Sequence, residues 1–515
     1  MGMKQQVIKD LEVVIKQLSC KLEKEMEKSK KLSADNKILR KKVSRGKQRI
    51  KEVNLSREKT RIKNATQYAT IKQLRSKLKP KGHHYTVLMI RLAVMLRVFA
   101  GCSFRSISKI LTLLKDYLCL EDFTIPCANT IQNWTAKLGL NALKNLDKTY
   151  LKGDIGIIID ESILIGNSKL LMVLFVPPFR FVPVGTNPEE HSSVLNFSDV
   201  RVAYMGFDTS WTAKKINEVL VEITKDKDLK IAYIVSDEAA ALKCSAKLAN
   251  SPHLPDISHV LGTCLRKTYT KNEDYKKFFA QINSYKRKGV NQGLTYLLPP
   301  KQRSKVRFMN QKPTVIWANT LLSKYDTLNE KEKVFFKDIF LHQSILKSMS
   351  ACLVVAEFVG LCYKKEGLCL ASNQAIDNYL ANVVIIDTPM QIFVNYLKEY
   401  IKNYAEILNN ICENSSLEIE KREICKLNVC SDVIESMFGK YKNTISTNQL
   451  VGVSTTCLEL PLCHMNIEQL TAQIIPSMEG FFVADIKGWK KGQNVNNQAV
   501  ERRNFFKNEQ KKSDL

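Results

Sequence analysis

The chain has no proline before Pro80, and from Ile8 to Val53 its apolar residues return every seven positions. One position of the repeat reads Ile8, Ile15, Leu22, Ser29, Asn36, Val43, Ile50; the other reads Leu11, Leu18, Glu25, Leu32, Leu39, Gly46, Val53. An apolar seam with this period predicts a long helix that seeks a partner, a coiled coil over residues 1–78. β-Branched residues at the first position, leucine at the second and a lone Asn36 favour a parallel dimer, while Glu25, Ser29 and Gly46 weaken the seam. Residues 1–80 hold 24 Lys/Arg and 8 Asp/Glu, so +16 of the chain's +28 sits there. A long solvated helix kept soluble by its charges fits the same pattern. The functional reading adds dimerisation, with the basic half at 40–80 lying against phosphates.

So basic a chain points to a polyanionic partner, nucleic acid first. At 515 residues it exceeds one ordinary domain. The start lacks the apolar core of a signal peptide, and no run of 18 apolar residues is visible, so no membrane span is expected. No Ser/Thr stands at the myristoylation position. The 14 cysteines include no C-x-x-C pair, which suits reduced thiols in a cytoplasmic, nucleoid-associated protein, or a nuclear one in a eukaryote. Cys457, Cys463 and His464 match no zinc module well, and ordinary buried thiols are the simpler reading.

Residues 82–150 read as helical. Apolar helical spacing runs over Tyr85–Phe99, then a helix over 101–118, a loop through Pro126, and a helix over 129–140 capped by Asn129 or Thr130 and ended by Gly139. Two short helices with Gln132, Asn133 and Lys137 exposed on the second suit a helix-turn-helix that reads DNA. A plain three-helix packing unit, with Trp134 filling its core, fits almost as well.

From 153 the pattern turns strand-like. IGIIID (155–160) is an apolar strand ending in an acid; strands over 169–178 and 200–208 follow, then an amphipathic helix over 212–225. LKIAYIVSD (229–237) is a second buried strand ending in an acid, and a helix continues over 238–249. Rigid strand ends hold carboxylates at a fixed spacing, and hard divalent cations take oxygen ligands. Two such ions activate a water or 3′-OH and stabilise the leaving oxygen of a phosphodiester. Asp160 and Asp237 are therefore the candidate ligands; for either alone, a strand-end turn aspartate is the simpler reading. A helix over 431–446 carries Asp432, Glu435 and Ser436 on one face, with Val433 and Met437 facing inward.

Here the sequence resembles transposases with an acidic-triad (DDE) catalytic domain, in particular the hAT and P-element groups, which place a large helical insertion before the final Glu. Their second Asp is followed by a C/D-x-x-H motif, and this chain has Asp256-Ile257-Ser258-His259. The resemblance covers roughly 150–450 and fits best a prokaryotic insertion-sequence transposase. It implies an α/β, ribonuclease-H-like mixed sheet interrupted by an all-helical insertion. It also implies the metal-binding triad Asp160, Asp237 and Glu435, two Mg²⁺ or Mn²⁺ ions, His259 near the scissile phosphate and Asp256 holding it. Double-stranded DNA, as element ends and target, would be the substrate of a homodimer or higher homo-oligomer. Lys442 lies seven residues after Glu435, as in some bacterial insertion-sequence enzymes where a lysine contacts DNA; the Arg of their fuller signature is replaced by Ser431. Lys440 and Lys442 are expected phosphate contacts. Asp432 is the chief rival to Glu435, and Glu161 and Glu238 are lesser ones that should point away. The alternatives are a non-catalytic DNA-binding protein derived from a transposase, and a structure-specific nuclease of the same fold.

The catalytic core is thus expected over 151–268 and 426–485, the helical insertion over 269–425, and a basic, partly mobile tail over 486–515. In the insertion, Arg303, Lys305 and Arg307, with Trp317 nearby, suit DNA backbone and an unpaired base; a core tryptophan is the simpler reading of Trp317. No phosphate-cradling glycine loop is present, so ATP dependence is not expected.

Overall fold

The computed structural model describes residues 2–76, 79–118, 124–145, 153–165, 168–179, 195–225, 229–301, 308, 311–414, 425–442, 453–493, 495 and 498–513. The chain divides into two units, one formed by residues 1–79 with 86–88, the other by 80–85 with 89–515. The first is essentially one helix, α1 (Gly2–Ser76). Every residue from Leu11 to Arg61 on it is exposed, the apolar seam included.

The second unit is a mixed α/β body, mostly helical, built round one five-stranded sheet. Helices α2 (Val87–Val98), α3 (Phe104–Tyr117) and α4 (Ala128–Lys144) lead into β1 (Gly153–Ile165), β2 (Ser168–Val176) and β3 (Arg201–Asp208). Then come α5 (Ala213–Lys225), β4 (Leu229–Ser236), α6 (Ala240–Leu248), the short β5 (His253–Pro255) and α7 (Ile257–Tyr269). The strand order is β3-β2-β1-β4-β5. β1–β2 and β2–β3 pair antiparallel, β1–β4 and β4–β5 parallel.

Strand alternation divides the side chains between two cores. Ile155, Ile157, Ile159 and Ile234 face α5 and α6, where they meet Trp211, Ile216, Leu220 and Leu242. Ile158, Tyr233 and Val235 face the other way, into the large core that continues through α4, α7 and the helices beyond. Gly156 keeps that face open: a Cβ there would lie 2.9 Å from the Tyr233 ring and 2.8 Å from Val176. The Tyr233 hydroxyl thereby reaches the backbone N–H of Asn428, at 3.3 Å.

The insertion comprises α8 (Glu273–Asn291), α9 (Lys312–Ser323), α10 (Glu330–Phe336), α11 (Gln343–Glu366), α12 (Leu370–Asn382) and α13 (Thr388–Asn414). One stretch here, Glu330–Glu366, is long and apolar enough to cross a membrane, which the sequence reading did not foresee. Half of its apolar window is buried, because Ile345, Met349, Cys352, Val355 and Val359 fill the core of the insertion.

The chain returns through α14 (Asp432–Lys442), a 3₁₀ stretch (Thr455–Leu462), α15 (Ile467–Gly480), α16 (Val483–Lys491) and α17 (Gln498–Ser513). The expected tail from 486 is in part tied to the body. Ile486 is buried, and the Gln493 side chain accepts the Phe207 N–H of edge strand β3 at 3.0 Å, filling an otherwise open ladder position.

Helix α4 also departs from expectation. It starts at Ala128, after Cys127, and runs past Gly139 to Lys144. Gly139 serves close packing instead of ending the helix: a Cβ there would sit 1.6 Å from the Leu458 carbonyl oxygen. Thr135 to Ala142 are buried without a break, so α4 is a central helix of the body.

Candidate active site

Asp160 lies inside β1, which runs on to Ile165 instead of ending at the acid as expected, two residues past its last pairing with the parallel neighbour β4 at Ile158; Asp237 directly follows β4. Each continues the alternation of the large-core face, Asp160 after Ile158 and Asp237 after Val235. The helices on that face bring the remaining groups. Asp256 caps α7 and accepts the His259 N–H at 2.9 Å. With its other oxygen it accepts the Ser431 N–H, one residue before α14, at 2.6 Å. One fully buried carboxylate therefore joins the starts of α7 and α14. The consequence is the approach of His259 Nε2 to Glu435 Oε1, at 3.6 Å.

The electrostatics show that these groups share one neighbourhood. Burial, then the charges of Asp237 and Glu435, push the Asp160 carboxyl up to about 7; His259 pulls the other way. The Glu435 carboxylate, with Asp256 and Asp237 assisting, outweighs burial and raises His259 to about 9. The imidazole is thus a cation at neutral pH. Asp237 also accepts the Ala239 N–H at 3.0 Å, which fixes the turn into α6.

The neighbouring acids are engaged elsewhere. Glu161 meets Lys169 at 3.1 Å, Asp432 meets Lys364 at 2.6 Å, and Glu238 accepts the Tyr400 hydroxyl at 2.7 Å. Among the described residues no Lys or Arg bridges Asp160, Asp237 or Glu435. Nor do any three His, Cys, Asp or Glu side chains among them form a ready-made ligand cage. The donor set of Asp160, Asp237 and Glu435 nevertheless fits a hard cation in kind: carboxylate oxygens, mutually repelling, with only a histidine as counter-charge.

The residues expected to contact DNA are placed differently. Lys137 is not exposed: its ammonium is buried against the Met478 carbonyl at 3.2 Å and His83 Nε2 at 3.4 Å, and burial lowers its pKa. Gln132 donates to Thr455 at 3.0 Å, and Asn133 is half-buried on the same helix. Trp134 packs edge-on to Tyr85 with centroids 4.9 Å apart. Residues 134–142 of α4 are thus buried in the body, while Gln132 and Asn133, in its first half, are half-buried.

Trp317 donates its indole N–H to the Leu297 carbonyl at 2.9 Å and lies among Tyr285 and Phe336, inside the insertion. Arg303, Lys305 and Arg307 lie outside the described residues. Lys440 and Lys442 are exposed at the end of α14, the former with its ammonium 4.0 Å from the centre of the Phe197 ring.

Cys457 is buried beside the Tyr441 hydroxyl at 2.6 Å, and burial pushes the Cys463 thiol up to about 11, so both are packing thiols. The residues the sequence reading missed are Ser431, whose amide ties α14 to Asp256, and Tyr400, which holds Glu238. A serine before a helix and a tyrosine in an amphipathic helix carry no mark of those contacts. A comparison of the chain with protein-family models gives no match, and a comparison with curated proteins gives none either.

Proposed function

We propose that this chain is a DNA transposase with a ribonuclease-H-like core, cutting and joining phosphodiesters at element ends. The observation that carries the reading is a cluster of acids in a strongly basic chain that, among the described residues, no Lys or Arg bridges. Asp160 feels both Asp237 and Glu435, with His259 opposing them. A structural ion-pair network would place lysine or arginine there, as the chain does at Glu161 and Asp432. The β3-β2-β1-β4-β5 order, with three antiparallel strands followed by two parallel ones, one acid inside β1 past its pairing with β4 and one directly after β4, supports the fold assignment.

In this reading Asp160, Asp237 and Glu435 hold two Mg²⁺ or Mn²⁺ ions. Such ions, when bound, supply Lewis acidity at the phosphate and make a water or 3′-OH nucleophilic at neutral pH. The protein's own groups do the rest. Asp256 sets the distance between α7 and α14, and His259, charged and ion-paired with Glu435 at 3.6 Å, presents a cation toward phosphate oxygen. Lys440 and Lys442 take the phosphate backbone beyond Glu435.

The test is a cleavage and strand-transfer assay with the DNA that flanks the coding region, in Mg²⁺ or Mn²⁺. Asp160→Asn, Asp237→Asn and Glu435→Gln should each abolish both products while leaving DNA binding intact. Undiminished cleavage by any of the three removes that residue from the triad. Cut DNA without joined DNA would make the protein a nuclease of the same fold.

A further inference from the structure

Among the described residues, nothing covers the seam of α1. Leu11, Ile15, Leu18, Leu22, Leu32 and Leu39 are each 54–63 % exposed. Leaving such a stripe in water is costly, and contiguous exposed apolar surface marks an interaction site. Six such side chains on each of two helices, at on the order of 100 Å² apiece, bring a two-copy seam to about 1,200 Å², the size at which specific interfaces begin.

We infer that the partner is a second copy of this chain, zipped in parallel from Leu11 to about Val43, and that the two helices part beyond it. The orientation and the fork both follow from charges flanking the seam. In a parallel pair each residue just before a first seam position faces the residue five further on in the partner. Asp35 then meets Arg40, and both such pairs attract. Asn36 meets its own copy, where two amides can hydrogen-bond. Glu25, the acid in the seam, is neutralised within its own helix by Lys28 at 2.6 Å.

One heptad later the same geometry sets Lys42 against Lys47, twice, and leaves Gly46 as a hole in the seam. The remaining apolar positions, Ile50 and Val53, are followed in the same register by Arg57 and Thr60. Repulsion and lost packing act together there. Residues 40–61 hold ten Lys/Arg and two Asp/Glu, so the diverging arms are strongly basic.

The full-length chain tests this. Light scattering should give twice the chain mass, and Leu18→Asp with Leu32→Asp should give one chain mass while the folded body keeps its thermal transition. In a Cys20→Ser background, Leu18→Cys should cross-link between copies under oxidised glutathione at least about tenfold faster than Val53→Cys, because zipped positions have a far higher effective concentration. A single-chain mass for the unaltered protein, or a dimer that survives both aspartates, overturns the interface. Failure of Leu18→Cys to cross-link overturns the parallel pairing. Equal rates at the two positions overturn the fork.

Discussion

Replacing Asp256 with alanine should loosen the candidate site without touching any of its three acids. Two backbone donors lose their acceptor: His259 N–H at 2.9 Å and Ser431 N–H at 2.6 Å. The first is the α7 cap, worth about 0.5–2 kcal/mol. The second belongs to a serine only 4 % exposed, so its amide is left dry at a cost of about 1–3 kcal/mol. Burial pushes the Asp256 carboxyl above the usual range, and removing a charge that is costly to bury offsets part of this loss. A net destabilisation of about 1–4 kcal/mol follows, a large share of the roughly 5–15 kcal/mol a folded protein has. Urea midpoints measure the total, and hydrogen exchange locates it. In Asp256→Ala the amides of both 257–260 and 431–435 should exchange faster. Asp256→Ser, which restores the cap alone, should rescue the first set and leave the second fast. Unchanged exchange at 431–435 in the alanine variant would refute the account of how α14 is anchored.

Three other outcomes are expected. Gly139→Ala places a methyl 1.6 Å from a backbone oxygen that cannot swing aside, so it should cost more than about 3 kcal/mol in a thermal or urea melt, whereas alanine at a solvent-exposed mid-helix glycine would stabilise. Burial lowers His464 to about 3, beside Arg201 and with Nδ1 unpartnered, so its folded value lies below the unfolded one near 6.5. Its contribution is intact above pH 6.5 and lost as pH falls toward 3, about 5 kcal/mol at most; in His464→Leu the acid loss of urea resistance over that window should shrink. His259 is shifted the opposite way, to about 9, so its stabilisation is fully present below pH 6.5 and lost as pH rises through 9. The stability gap between the unaltered chain and His259→Gln should close over that range, and a gap that widens with pH would contradict the His259–Glu435 contact.

What could be read in advance was whatever depends on local period. β1 and β4 are apolar runs whose alternation fixes the side on which Asp160 and Asp237 emerge, so their common face follows from counting residues. The α14 pattern likewise put Glu435 opposite Val433 and Met437, both buried. The misreadings share one cause, contacts between distant parts of the chain. Lys137 looks like an exposed helix residue until Met478 and His83 close over it. Gly139 has the residue type of a helix stop, and only the arrival of Leu458 reveals why a side chain is forbidden there. β5 is three residues long and too short to have a period, yet it leads directly into Asp256.

The choice among neighbouring acids shows how much such contacts decide. Asp432 and Glu435 lie one turn apart on α14 and differ little as sequence. Lys364, from α11 of the insertion, reaches Asp432 at 2.6 Å, while Glu435 faces His259. Glu238 sits beside Asp237, but the hydroxyl of Tyr400 on α13 holds it. Insertion helices therefore occupy two of the three acids that compete with the proposed ligands, and Lys169 of β2 occupies the third, Glu161. The insertion thus acts on the site's charge as well as its shape. Lys364→Met should free the Asp432 carboxylate one turn from Glu435, adding a fourth acid to the cluster. The Asp160 proton, followed by NMR, should then bind more tightly than in the unaltered chain. An unmoved Asp160 titration would mean that Asp432 is too far from the cluster to have competed at all.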